Sequence, residues 1–331
     1  MTRINRVLEH MAKLQVDSVI IKDVTTIRYL TGFTGDSSLL YMDRQQGVLI
    51  TDGRYTEQAK NEMKFFKVLE YTPTGAHSIW AAAADLAKNA QAQVVGFDGA
   101  YYSYDDYTVL HELLGETYMQ SIDFSDIRMI KDKKELDMLL KAASIADEAF
   151  IHLLEDIKPG CTERSLAGRL EYYMRALGSE KASFDTIVAS GVRSALPHGM
   201  ASDKVIEVGD FITFDFGAVY KGYHSDAART HAIGEVSEEA RLLIERTRQS
   251  FFEGIKYVLP ILHPNKKRLA LIMCPEEDSA SVEWARQKDE NWVNKDITSL
   301  EFVENIFRLM NWNRECRYKV LGRVANSDQG L

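Results

Sequence analysis

Cysteine is scarce. The 331 residues hold three, Cys161, Cys274 and Cys316, odd in number and far apart. That excludes a disulfide framework and a cysteine-built zinc site, and it points to a reducing compartment, here the cytoplasm. Basic charge is also short: 40 Lys and Arg stand against 49 Asp and Glu, a net charge of −9. Nucleic-acid binders carry a basic face, so no nucleic-acid partner is expected. No apolar run is long enough for a membrane span, so no membrane partner is expected either. The opening segment MTRINRVLEHMAKLQVDSVII lacks an apolar core followed by a cleavage site, and no signal peptide is expected. Glycine is missing between Gly254 and Gly322, whereas the preceding chain uses it regularly.

What is present reads as an ordinary globular protein, 45% hydrophobic and 27% charged. The length suits about two domains. Residues 3–15 place Ile4, Val7, Leu8, Met11 and Leu14 at helical spacing, and 16–21 reads as a strand. A short helix ends at Gly32. Strands follow at 37–42 and 47–52, then helices at 54–63, 78–89 and 104–114 alternate with strands at 66–70 and 93–97. This alternation predicts an α/β domain over 1–125. A second domain begins near 126 with a long amphipathic helix that stops at Pro159-Gly160. It continues with a helix over 162–177 and strands at 184–190, 211–217 and 222–234, the last two paired as a hairpin. A helix over 238–258 closes it. From 259 the character changes. Trp284, Trp292 and Trp312 lie in this tail, and 292–324 predicts one amphipathic helix and a short strand.

The chemistry concentrates in FDFGAVYKGYHSDAART (214–230). A hairpin here brings Asp215 and Asp226 across from each other. Two neighbouring carboxylates stay ionised cheaply only around a cation or a shared proton. A pair of divalent ions bridged by carboxylates answers that need. The competing reading is two exposed aspartates on a surface hairpin. His198 sits between Pro197, which restricts the backbone, and Gly199, which permits close approach. It is a candidate acid/base or intermediate-contacting group, against the plainer reading of a solvated loop histidine. His224 shares strand parity with Asp226, and Arg229 is the nearest cation; both are candidates for supporting the ligands. Asp185 and Ser190 are expected to line the site or to cap turns.

Residues 190–230, SGVRSALPHGMASDKVIEVGDFITFDFGAVYKGYHSDAART, resemble the metallopeptidase family of Xaa-Pro aminopeptidases, prolidases and methionine aminopeptidases, whose pita-bread fold is shared with creatinase. YLTGFTGDSSLLYM (29–42) and TDGRYTEQA (51–59) resemble its creatinase-like N-terminal domain. IRMIKDKKELDMLLKAASIADEAF (127–150) resembles the inter-domain helix, and KPGCTE (158–163) the turn after it. The resemblance covers about residues 1–258. It implies an α/β creatinase-like domain over 1–125 and the first half of an α+β pita-bread domain over 126–258, with an unrelated segment at 259–331. It implies a hydrolase cutting the bond before proline in proline-containing peptides, and a homodimer. It implies two divalent ions, manganese first, with cobalt or zinc as alternatives. Asp215 and Asp226 match two metal ligands, and His198 matches the histidine at the scissile group.

The pattern then stops. The family uses five ligands, and the remaining histidine and two glutamates have no match after residue 231. His263 lacks flanking glycines. Glu276, Glu277, Glu301 and Glu304 read as solvated carboxylates. The expectation is therefore impaired catalysis, with a junction near codon 259 from fusion, insertion or frameshift. Two other readings stand beside it: missing ligands supplied by the tail or a partner, and a non-catalytic binding protein. Metal-free, creatinase-like hydrolysis is disfavoured by the paired aspartates.

Overall fold

The computed structural model describes residues 2–72, 78–258, 269–273 and 319–324. The chain divides into two compact units, Met1–Met129 and Ile130–Leu331.

The first unit is an α/β layer structure. Its helices are α1 (Arg3–Leu14), α2 (Val24–Thr31), α3 (Thr56–Glu62), α4 (Ile79–Asn89), α5 (Tyr104–Leu114) and α6 (Ser125–Met129). Its strands are β1 (Ser18–Ile21), β2 (Ser38–Asp43), β3 (Gly47–Thr51), β4 (Lys67–Glu70), β5 (Val94–Phe97) and β6 (Tyr118–Ser121). The strands form one mixed sheet in the order β4-β3-β2-β1-β5-β6. Apolar runs such as SVII and SLLYM are continuous because both sheet faces are covered. Val19, Ile21, Leu40, Met42 and Leu49 pack with Val7 and Met11 of α1 and Ile27 of α2. Their neighbours Ile20, Leu39, Tyr41, Val48 and Ile50 pack with Ala83 and Ala87 of α4 and Leu110 of α5. Thr2, Asp23, Ser78 and Ser103 cap the helices that follow them, each accepting a backbone N–H through its side chain.

The second unit opens with α7 (Lys133–Leu154), started by a reciprocal cap between Asp132 and Glu135. Helix α8 (Glu163–Ala176) follows, then β7 (Ile187–Ser190), β8 (Phe211–Phe216), β9 (Val219–Tyr220), β10 (Tyr223–His224), β11 (Ala227–Ala232) and α9 (Glu238–Val258). Strands β11, β8 and β7 form an antiparallel sheet with β8 in the middle, and β9 pairs with β10. Ile212, Phe214, Phe216 and Ala218 point to one face, where they pack with Ile145, Ala149 and Leu153 of α7 and Leu166, Leu170 and Met174 of α8. Phe150 of α7 stacks on Phe216 and meets Phe214 edge-on. Each such burial contributes about 1.5–3 kcal/mol. A one-residue slip would drive Asp215 into that core, so the apolar alternation locks the register.

The expected continuous strand over 222–234 is corrected: it divides into β10 and β11 around Ser225-Asp226. A Cβ on Gly217 would lie 2.0 Å from the Ser225 carbonyl oxygen, so the two backbones crowd at this point. Ser225 mends the ladder. Its N–H donates to the Ala218 carbonyl at 2.9 Å, and its hydroxyl accepts the Ala218 N–H at 2.9 Å. In the tail, β12 (Leu269–Met273) pairs antiparallel with β13 (Lys319–Val324), which is the short strand expected there. The expected tail helix lies outside the described residues, as do His263, Glu276, Glu277, Glu301 and Glu304. Among the described residues no helix is long and apolar enough to cross a membrane.

Candidate functional site

Asp215 lies on the sheet face opposite α7 and α8. Asp215 pairs with Ala228 on one side and Ile187 on the other, so all three share that face. The pairing continues past β11: Ala227 faces Phe216 and Ser225 bonds Ala218, which sets Asp226 opposite Gly217. Asp226 is thus the diagonal neighbour of Asp215 on the same face, not directly across from it as expected. Asp215 is only 5% exposed. Oδ1 of Asp226 is closed off from solvent. Gly217, lacking a side chain, is what lets the strand bearing Asp226 come so close.

The loop that carries His198 is tied to this sheet. A bridge pairs Met200 with Ile187, so Met200 joins the row Ile187–Asp215–Ala228. His198 precedes it by two residues, and its carbonyl accepts the Met200 N–H at 2.9 Å. The close approach expected at Gly199 is real: a Cβ there would meet the Ala189 side chain of β7 at 2.9 Å. The His198 side chain is exposed.

Two expectations change, those for Arg229 and Ser190. Arg229 pairs with Phe214, on the helix-facing side, and its guanidinium bonds Asp147 of α7 at 2.6 Å. It belongs to the opposite face from the two carboxylates. His224 keeps the expected parity with Asp226: it lies opposite Val219 on the short ribbon β9–β10, and it is exposed. Ser190 does not line the carboxylate face; its N–H and hydroxyl donate to Glu163 Oε1 at 2.7 and 2.9 Å. Asp185 is exposed, just before β7.

Glu163 is the residue that sequence reasoning missed. It is fully buried at the start of α8. Besides Ser190, it accepts the Ser202 N–H at 3.0 Å, the Ser202 hydroxyl at 2.6 Å and Arg193 Nε at 3.1 Å. Burial alone would raise its carboxyl, but the donors from Ser202 and Ser190 outweigh it and hold the group below the usual range. Its only signal in the sequence was its place at the end of KPGCTE, after a proline-glycine stop.

Do these residues fit a metal? Asp215 and Asp226 are suitable oxygen donors for a divalent ion. Among the described residues, however, no group of three or more His, Cys, Asp or Glu comes together as a cage. Two carboxylates alone do not make the two-ion site that the resemblance implies. A separate cavity of about 310 Å³ belongs to the first unit, lined in part by Thr26, Asp98, Ser121, Asp123 and Arg128; none of the candidate residues above borders it.

The architecture is that of a two-unit protein with an α/β first unit and a helix-backed antiparallel sheet carrying the two carboxylates in the second. Residues 3–130 match the Creatinase/Prolidase N-terminal domain, and residues 137–265 match Metallopeptidase family M24. The chain belongs to that metallopeptidase family, with a creatinase-like N-terminal domain and a pita-bread domain. It is 39% identical over 250 residues to the uncharacterized peptidase YqhT of Bacillus subtilis, covering 75% of this chain and 70% of that one. It is 34% identical over 249 residues to the Xaa-Pro dipeptidase of Pyrococcus furiosus, covering 73% and 68%. The solved Xaa-Pro dipeptidase from Bacillus anthracis superposes with a TM-score of 0.72 at 36% identity, over 76% of this chain and 70% of that one.

Proposed function

We propose that this chain is directed at proline-containing peptides, that its inherited reaction is hydrolysis of the bond before proline, and that turnover in this polypeptide is impaired. The similarity to Xaa-Pro dipeptidases supports the substrate class. One observation carries the impairment: Asp215 and Asp226 share a face, yet among the described residues no third His, Cys, Asp or Glu joins a cage with them. Supporting groups cannot replace missing ligands. In this reading the two aspartates are the metal-facing pair and His198 meets the substrate at the scissile group. The scarcity of cysteine supports a cytoplasmic setting, and we take the unit in solution to be a homodimer.

The test is calorimetric titration of manganese into metal-free protein, for wild type and for Asp215→Asn/Asp226→Asn, beside hydrolysis of an Xaa-Pro dipeptide. Weak binding that the double variant abolishes, with turnover far below the ordinary range, is the expected result. Tight uptake near two ions per chain, or turnover of roughly 1–1000 per second, would overturn it and direct attention to ligands from the tail or a partner. If the metal-free chain binds a proline peptide with no turnover at all, it is a binding protein built on this fold.

A further inference from the structure

We propose that Glu163 is the positioning residue for His198, holding the loop 190–204 against the sheet through a buried carboxylate. The inference rests on the reading above that His198 meets the substrate. Glu163 grips that loop at both ends. Oε1 takes both donors of Ser190, where β7 ends, and Oε2 takes both donors of Ser202, where the loop returns. Arg193, near the start of the loop, bonds Oε2 through Nε and reaches on through Nη2 to the Met200 carbonyl at 2.7 Å. The backbone adds to the clamp: Glu163 N–H donates to the Lys204 carbonyl at 3.1 Å and Arg164 N–H to the Ser202 carbonyl at 2.9 Å. His198 lies inside the span that these bonds enclose.

The chemistry of the group is specific. Both oxygens face donors only, and each accepts a backbone N–H. A carboxylate satisfies this set on both sides. A glutamine would turn its NH2 toward one of the two backbone N–H groups and lose that end of the loop. Elsewhere the loop is held by the Met200–Ile187 bridge and by Gly199 against Ala189, both on the far side of His198 from Arg193. Val192 is 91% exposed, and Leu196, Met200 and His198 are exposed as well. Large apolar side chains therefore do not anchor the loop beside His198, and the packing it has comes from small residues, Gly199 on Ala189 and Ala201 on the core.

Hydrogen–deuterium exchange on the full chain tests this. Glu163→Gln is expected to speed amide exchange across 191–202 at least about ten-fold, with β8 unchanged. The His198 imidazole resonances should move toward those of an unstructured histidine while those of His231, on β11, stay. Should Glu163→Gln fail to fold, Arg193→Ala and Ser202→Ala remove single donors from Oε2 and are read the same way, with smaller increases in the same loop. Unchanged loop exchange, or an increase spread evenly over β7, β8 and α8, would overturn the inference and leave Glu163 as a cap of α8. Neither readout needs metal or turnover. An inactive chain therefore bears on the proposed reaction alone, and an unaltered loop on Glu163 alone.

Discussion

Asp98 is a carboxylate whose burial changes its chemistry. It is 3% exposed, and burial pushes its carboxyl up to about 6 from 3.8, although Lys22 and Asp23 donate backbone N–H groups to it. The nearby Asp23 charge adds to the rise. Between these two values the folded chain holds the proton more tightly than the unfolded one. Its contribution to stability is therefore complete below about pH 4 and falls as pH climbs through 6, by about 2–3 kcal/mol. Asp98→Asn should lack this loss, so its stability relative to wild type should rise from pH 4 to 7. Urea unfolding at several pH values checks it, and parallel pH profiles would refute it. Gly217 makes the second residue-scale prediction. Gly217→Ala forces a Cβ onto the Ser225 carbonyl and should cost about 2–3 kcal/mol; an unchanged Tm would mean the strands can part there.

The hairpin that carries both carboxylates turns at Lys221 and Gly222, with φ of 49° and 78°. Tyr220 pairs with Tyr223, so this is a two-residue loop, and two positive φ values mark the turn favoured by Asn-Gly. Lysine is strained in that region and asparagine much less so. Lys221→Asn should stabilise the second unit by about 0.5–1 kcal/mol, read by thermal unfolding. A fall in Tm would show that Lys221 makes a contact worth more than the strain. At this scale the sequence was largely legible. Alternation in FITFDF separates Phe214 and Phe216 from Asp215, while the register of the two-residue turn puts Asp226 on the face of Asp215. Arg229 and Ser190 were misread because proximity in sequence says nothing of which face a strand residue takes once its register is set.

Each unit encloses its own core among the described residues. In the first, two clusters cover both faces of one sheet. Residues 1–129 produced alone should therefore fold with a single cooperative thermal transition; a broad, non-cooperative melt would show that this unit depends on the rest of the chain. The second unit has one clear core, between α7, α8 and the helix-facing side of β8. Its other face is where the candidate site lies. The manganese titration belongs to this scale, because a metal cage closes only if carboxylates distant in sequence converge on that face.

The sequence by itself determined the α/β layering, most of the second unit's helices and strands, the family, and the placing of Asp215 and Asp226 on one hairpin. These follow from periodicity and from contiguous motifs, which a linear chain displays directly. Tertiary structure alone decided that Glu163 is buried under five donors, that Arg229 serves α7, and that Asp226 reaches its place because Gly217 yields room. The Glu163 and Arg229 contacts join segments 27 to 82 residues apart, and the Gly217 contact crosses the hairpin; in each, hydrogen-bond satisfaction and steric fit decide partners, and no local pattern records them.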